Sequence, residues 1–325
     1  MELFIDKDFL DDFYIDYDSS RIAEIVKNII TNYGDKKVFI NYNNNESDFL
    51  RLKEENEFFA LICNTTVPIP IGDIGDSIRK SEFTQTLVFT KKREDWFEEI
   101  ESKGALCFCF DDYEKKINTI IDALHFKIDL SESFMGWEFL DVFKRLNYNK
   151  IVVTDGYILG DKTGQKMEKN IIPILKKLLP NRKHDFSITF FTKDLNPIKP
   201  IPNTAKNIKE KVKEKAKKRV KLLKQFFPKN RFRVTIINSN LNHRISQKFN
   251  MHDRVIATNF SLMDAGLGFN LLPYKTTNSQ IISETIFDKY TYRRLNSLIE
   301  KQNQYIKDIS EVSDDEFKMF EENIR

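Results

Sequence analysis

"MHDRVIATNFSLMDAGLGFN" (251–270) is the stretch on which the fold assignment turns. It opens on His252, one of 4 histidines in the chain, passes through the strand-like "VIAT", and ends around Gly266 and Gly268. A histidine beside an arginine at the start of a strand can be a nucleophile for a phosphate. It can equally be part of the architecture. The surrounding sequence bears on that choice.

Moving outward, apolar periodicity alternates between strand and helix. Ahead of the stretch, "KIVVTD" (150–155), "FSITFFT" (186–192) and "FRVTIIN" (232–238) read as strands. They are separated by helices at 165–180 and 204–227. An earlier series follows the same plan, with strands at 36–42, 84–90 and 105–110 and helices at 47–63, 92–104 and 111–124. Residues 64–77 carry Pro68, Pro70, Gly72 and Gly75 and read as a loop or an edge. Each series ends with a strand that opens on histidine: His125 in "HFKIDL" follows Phe110 by 15 residues, and His252 follows Asn238 by 14. Two readings stay open, one plan used twice or one continuous sheet with two unrelated histidines. In either, the alternation predicts an α/β fold of mainly parallel sheets covered by helices. The expected divisions are an acidic N-terminal arm at 1–35, a first α/β half at 36–146, a second at 147–275 and a helical acidic tail at 276–325.

His252, Arg254, Asn259 and Gly266 fall, without a gap, on the His-x-Lys-x4-Asp pattern with its later glycine. That pattern belongs to the phospholipase D-like superfamily, and "HDRVIATN…GLGF" resembles its His-Asp-Arg variant group. There, a strand ending in Asp-x-Tyr opens the domain, and "VVTDGYI" (152–158) supplies Asp155 and Tyr157. The resemblance covers about 150–275. It is weak over 36–140, where His125 and Lys127 match but Glu132 is the next acid and Gly136 arrives early. Arg254 and Asn259 stand where the family has Lys and Asp.

The resemblance implies a phosphodiesterase working through a phosphohistidine. One imidazole attacks phosphorus, a second protonates the leaving oxygen, and the adjacent cation neutralises the non-bridging oxygens. Two such elements must meet, from tandem halves or from two chains, so a homodimer is one expectation. Paired internally, His125 with Lys127 would face His252 with Arg254. The family Asp helps orient and charge-balance the site, a role Asn259 cannot fill by charge. No metal or other cofactor is implied. The same resemblance suggests a prokaryotic defence or nucleic-acid-processing system, through the company such domains keep.

Composition narrows the partners. Net charge is only +3, but residues 1–18 carry −6, residues 206–233 carry +11 and residues 308–325 carry −5. An anionic partner is expected for the basic block. Its helix has an apolar stripe of Ile208, Val212, Ala216, Val220, Leu223 and Phe227. Lys209, Lys213, Lys217, Lys218, Arg219, Lys221 and Lys224 form its candidate nucleic-acid rail. The other reading is an ordinary solvated surface helix. A membrane surface suits it less, since the stripe is narrow and lacks Trp.

Asp6, Asp8, Asp11 and Asp12 hint at a metal-dependent nuclease, but no later acid on a strand end completes such a site, so they are assigned to the arm. Cys63, Cys107 and Cys109 have no metal or disulfide spacing. Acids where a signal peptide carries bases, and no apolar run near 18 residues, predict a soluble cytoplasmic protein without a membrane partner. The expected function is engagement of DNA or RNA, as a metal-independent nuclease. The alternative is a catalytically silent scaffold that binds a partner protein or nucleic acid in a larger assembly.

Overall fold

The computed structural model describes residues 1–157, 159–160, 164–179, 186–192, 205–228, 230–238, 254–266, 268–269, 271, 274–310 and 319–324. The chain divides into two compact units. The first comprises Met1–Ala123, Asn147–Asn149 and Thr285–Tyr292, the second Leu124–Leu146, Lys150–Glu284 and Arg293–Arg325.

The first unit begins with β1 (Glu2–Ile5), followed by α1 (Lys7–Ile15), α2 (Arg21–Asn32), β2 (Lys37–Ile40), α3 (Glu46–Glu55), α4 (Glu57–Thr65) and β3 (Ile69–Pro70). It continues through α5 (Ile74–Ile78), β4 (Thr86–Thr90), α6 (Phe97–Ser102), β5 (Ala105–Cys109) and α7 (Tyr113–Leu124). The strands form a sheet of order β3-β2-β1-β4-β5, parallel throughout. β4 and β5 are buried at every position, as strands covered on both faces must be. Cys107 and Cys109 lie in this core. Burial and the nearby Glu101 push the Cys107 thiol up, so it behaves as a small hydrophobe rather than a nucleophile.

The acidic arm expected at 1–35 is instead the centre of this sheet. β1 pairs with both β2 and β4, and Leu3, Phe4 and Ile5 are buried. Asp6 caps α1 by accepting the Asp8 amide, while Phe9, Leu10 and Phe13 turn inward. Phe9 and Phe13 meet Phe89, Phe110, Tyr113 and Phe58 in one aromatic core. Summed charge concealed that two-sided pattern. The helix expected over 47–63 divides at Asn56, which is buried, caps α4 through the Phe59 amide and donates to the Leu10 carbonyl. Residues 64–77 include both the edge strand β3 and α5.

The second unit contains β6 (Phe126–Asp129), a 3-10 segment (Glu138–Arg145), β7 (Lys150–Thr154), a π turn (Met167–Ile171) running into α8 (Ile172–Leu178), β8 (Phe186–Thr192) and α9 (Ala205–Phe226). Then come β9 (Phe232–Asn238), β10 (Val255–Thr258), β11 (Ser261–Asp264), β12 (Gln280–Thr285), α10 (Lys289–Ser310), which bridges both units' residue ranges, and β13 (Met319–Ile324). Its sheet runs β13-β9-β8-β7-β10-β11-β12-β6. β7, β8 and β9 are parallel. β10 is antiparallel to β7 and β11, β12 to β6, and β13 to β9, so this sheet is mixed. The reason at β10 and β11 is local: only Asn259 and Phe260 join them, a hairpin connection that cannot cross over. The helical tail expected at 276–325 likewise begins with a strand, β12.

One plan used twice is not what the chain builds. The three strands of the first series take β1 as the centre of their own sheet, whereas the strand carrying Lys127 lies in the second sheet.

Candidate functional site

The antiparallel pairing of β10 with β7 fixes the site. Val255 pairs with Thr154, so the residue before β10, Arg254, arrives beside the residue after β7, Asp155. β8 ends at the same level, and the Asp155 amide donates to the Phe191 carbonyl at 3.1 Å. The Thr192 hydroxyl donates to the Gly156 carbonyl at 3.2 Å. Asp155 is only 4% exposed. Its Oδ1 accepts the Tyr157 amide at 2.9 Å and its Oδ2 the Phe269 amide at 3.4 Å. A carboxylate buried this far requires such partners.

Gly268 shows how close Arg254 comes. It adopts φ +103°, and a Cβ there would stand 2.7 Å from Arg254 Cδ, 3.2 Å from its Nε and 3.1 Å from Asp155 Oδ2. Both charged groups therefore crowd one point that only glycine leaves open. The Ala265 amide donates to the Arg254 carbonyl at 3.0 Å, and the Gly268 amide to the Ala265 carbonyl at 2.9 Å. These bonds hold the glycine turn against the strand end.

The remaining sequence candidates separate. His252 lies outside the described residues. Asn259 is 3% exposed and its Oδ1 accepts the Lys150 amide at 3.0 Å, at the opposite end of β10 from Arg254. Five residues of extended chain span roughly 16 Å, so Asn259 fixes the start of β7 and does not face the Arg254 end. His125 directly precedes β6, an edge strand, and is exposed, as is Lys127. β11 and β12 stand between β6 and β10. At about 4.8 Å per strand, that places β6 roughly 14 Å from β10 across the sheet. His125 and Lys127 are not neighbours of Arg254 through strand pairing.

On α9 the stripe forms as expected where described: Ala216, Val220, Leu223 and Phe227 are buried. Lys213, Lys217, Lys218, Lys221 and Lys224 are exposed, with Lys218 paired to Glu214 at 2.8 Å. The side chain of Lys209 lies outside the described residues. Arg219 departs from the rail. It is 3% exposed, and its Nε donates to the Leu159 carbonyl at 3.2 Å. Its position three residues after Ala216 and four before Leu223 places it on the inward stripe, so it is removed from the candidate phosphate contacts. Gly164, at φ +86°, leaves room for that guanidinium: a Cβ there would stand 2.5 Å from Nη1. Lys215 reaches the Gly160 carbonyl at 2.7 Å. Both cations thus bind the loop that leaves Asp155.

Thr192 and Lys215 escaped the sequence reading, which noted Gly268 only as one of two glycines and gave it no role. The second glycine of "GLGF" was the one available signal; the other two depend on tertiary placement. In the first unit, a cavity of about 610 Å³ is lined by Asp16, Asp18, Asp111 and Glu114 beside Phe110 and Tyr113. Among the described residues no group of three or more His, Cys, Asp or Glu is placed to hold a metal ion, and no helix is long and apolar enough to cross a membrane. No family model, curated protein or solved structure matches this chain.

Proposed function

We propose that this protein binds nucleic acid through backbone phosphates, using the exposed lysines of α9 together with the Arg254 end of β10. The supporting observation is that α9 presents Lys213, Lys217, Lys218, Lys221 and Lys224 outward while Lys215 and Arg219 fasten it to the loop leaving Asp155. Phosphate-tracking lysines and the arginine of a phospholipase D-like element are thereby linked by a short, bonded segment. Such a surface gives salt-dependent, sequence-independent affinity. Three cysteines without disulfide spacing suit a cytoplasmic setting for it.

The test is fluorescence anisotropy on labelled oligonucleotides over a salt series. Replacing the five lysines with Gln should flatten the slope of log affinity against log salt by about 3.5 for single strands. An unchanged slope would remove α9 from the interface.

Hydrolysis is the extension of this reading through His252. Cleavage in EDTA that is abolished by His252→Ala, with affinity kept, would establish a phosphodiesterase. The silent scaffold is favoured by the position of His125, exposed on an edge three strands from β10. With that placement, a second catalytic imidazole is expected from another copy of the chain. Binding without cleavage would establish the scaffold.

A further inference from the structure

Among the described residues of the loop that leaves Asp155, Tyr157 is a large side chain that folding leaves partly exposed. Gly156, Leu159 and Gly160 are buried, yet Tyr157 between them is 42% exposed. Its backbone is fixed at both ends. The Tyr157 amide donates to Asp155 Oδ1 at 2.9 Å, and its carbonyl accepts the Gly160 amide at 3.2 Å, closing a turn. Lys215 holds the Gly160 carbonyl and Arg219 the Leu159 carbonyl, so α9 anchors that turn. On its other side, Asp155 crowds Arg254 around Gly268.

A 42% exposed aromatic side chain, on a turn whose carbonyls are held by a lysine-bearing helix and which starts from the carboxylate beside Arg254, offers two things together. Cations bind phosphates, and the ring face can take a base. A duplex hides its base faces inside the stack, so only unpaired bases can use the ring. We infer that the nucleic acid bound here is single-stranded and that Tyr157 stacks on one of its bases. The inference rests on the phosphate-binding reading of α9 and adds the class of nucleic acid.

The experiment compares three labelled probes on the full chain: a single-stranded oligothymidylate, the same backbone without bases, and a duplex of equal length. The unmodified protein should bind the base-bearing strand most tightly. Tyr157→Leu should weaken that complex about five- to a hundredfold, to the level of the abasic strand. Tyr157→Phe should retain the affinity, and abasic and duplex binding should be the same in all three proteins. Equal affinity for base-bearing and abasic strands in the unmodified protein overturns the stacking inference, as does tighter binding of the duplex; both leave phosphate binding standing. Failure to bind any of the three overturns the nucleic-acid reading itself.

Discussion

Lys36 shows how a single residue makes stability depend on pH. It is buried, and its Nζ donates to the Ile29 carbonyl at 3.2 Å and also to the Ile30 carbonyl, closing the end of α2. Burial, with a smaller contribution from Lys289, lowers its pKa to about 8. Below that value Lys36 is charged in both folded and unfolded chains, so its contribution is constant. Above it, the folded chain releases the proton first, the unfolded chain holds more protons, and stability rises with pH. From pH 8 to pH 10 the gain is on the order of 2 kcal/mol. Tyr33 and Tyr113 act in the opposite direction higher up, because burial holds both phenols above their usual range. Unfolded tyrosines ionise near pH 10 while these stay neutral, and stability then falls. Urea unfolding across this range should show a maximum near pH 10, and Lys36→Met should remove the rising limb. A flat profile in the unmodified protein would count against the buried ammonium.

At the scale of the element, α9 is informative because one helix holds arginine and lysines in opposite roles. Arg219 is an inward anchor on the Leu159 carbonyl, whereas Lys217 and Lys221 face solvent. Arg219→Gln should cost about 1.5–3 kcal/mol in denaturant unfolding, the range for a hydrogen bond to a charged group. It should leave the salt dependence of nucleic-acid binding unchanged if the fold is retained. Lys217→Gln with Lys221→Gln should do the reverse, with stability within about 0.5 kcal/mol and a flatter salt slope. The spacing of Arg219 from Ala216 and Leu223 was legible in the sequence; which carbonyl it meets was not. The same holds for β10. The register from Arg254 to Asn259 is plain in the sequence, but their extended spacing already separates them along a strand. Only the pairing with β7 assigns each end its neighbours.

For the whole molecule, the consequential feature is that β1 lies at the centre of its sheet. The first eighteen residues carry a net charge of −6, as a solvated arm would, yet they contain the strand joining β2 to β4. Removing residues 1–35 should therefore abolish the fold of the first unit, read as loss of its helical circular dichroism and rapid proteolysis of residues 36–123. An arm would be removed without effect. The strong readings from sequence were those with unambiguous apolar patterns: β5, α7, α9, and the strands β7 to β9. The weak ones were β1 and β11, each only 4 residues, and β12, which buries the polar Ser283 and Thr285.

By itself, the amino-acid sequence determined an α/β chain, a basic helix with a buried apolar stripe, and a strand preceded by a histidine and an arginine. Periodicity and charge are local quantities, and those features depend on little else. Tertiary structure alone decided which strands share a sheet: it moved the strand after His125 into the second sheet and put Asp155 beside Arg254. Strand pairing joins residues remote in the chain through backbone hydrogen bonds that any side chain permits, so no local pattern encodes the choice of neighbour.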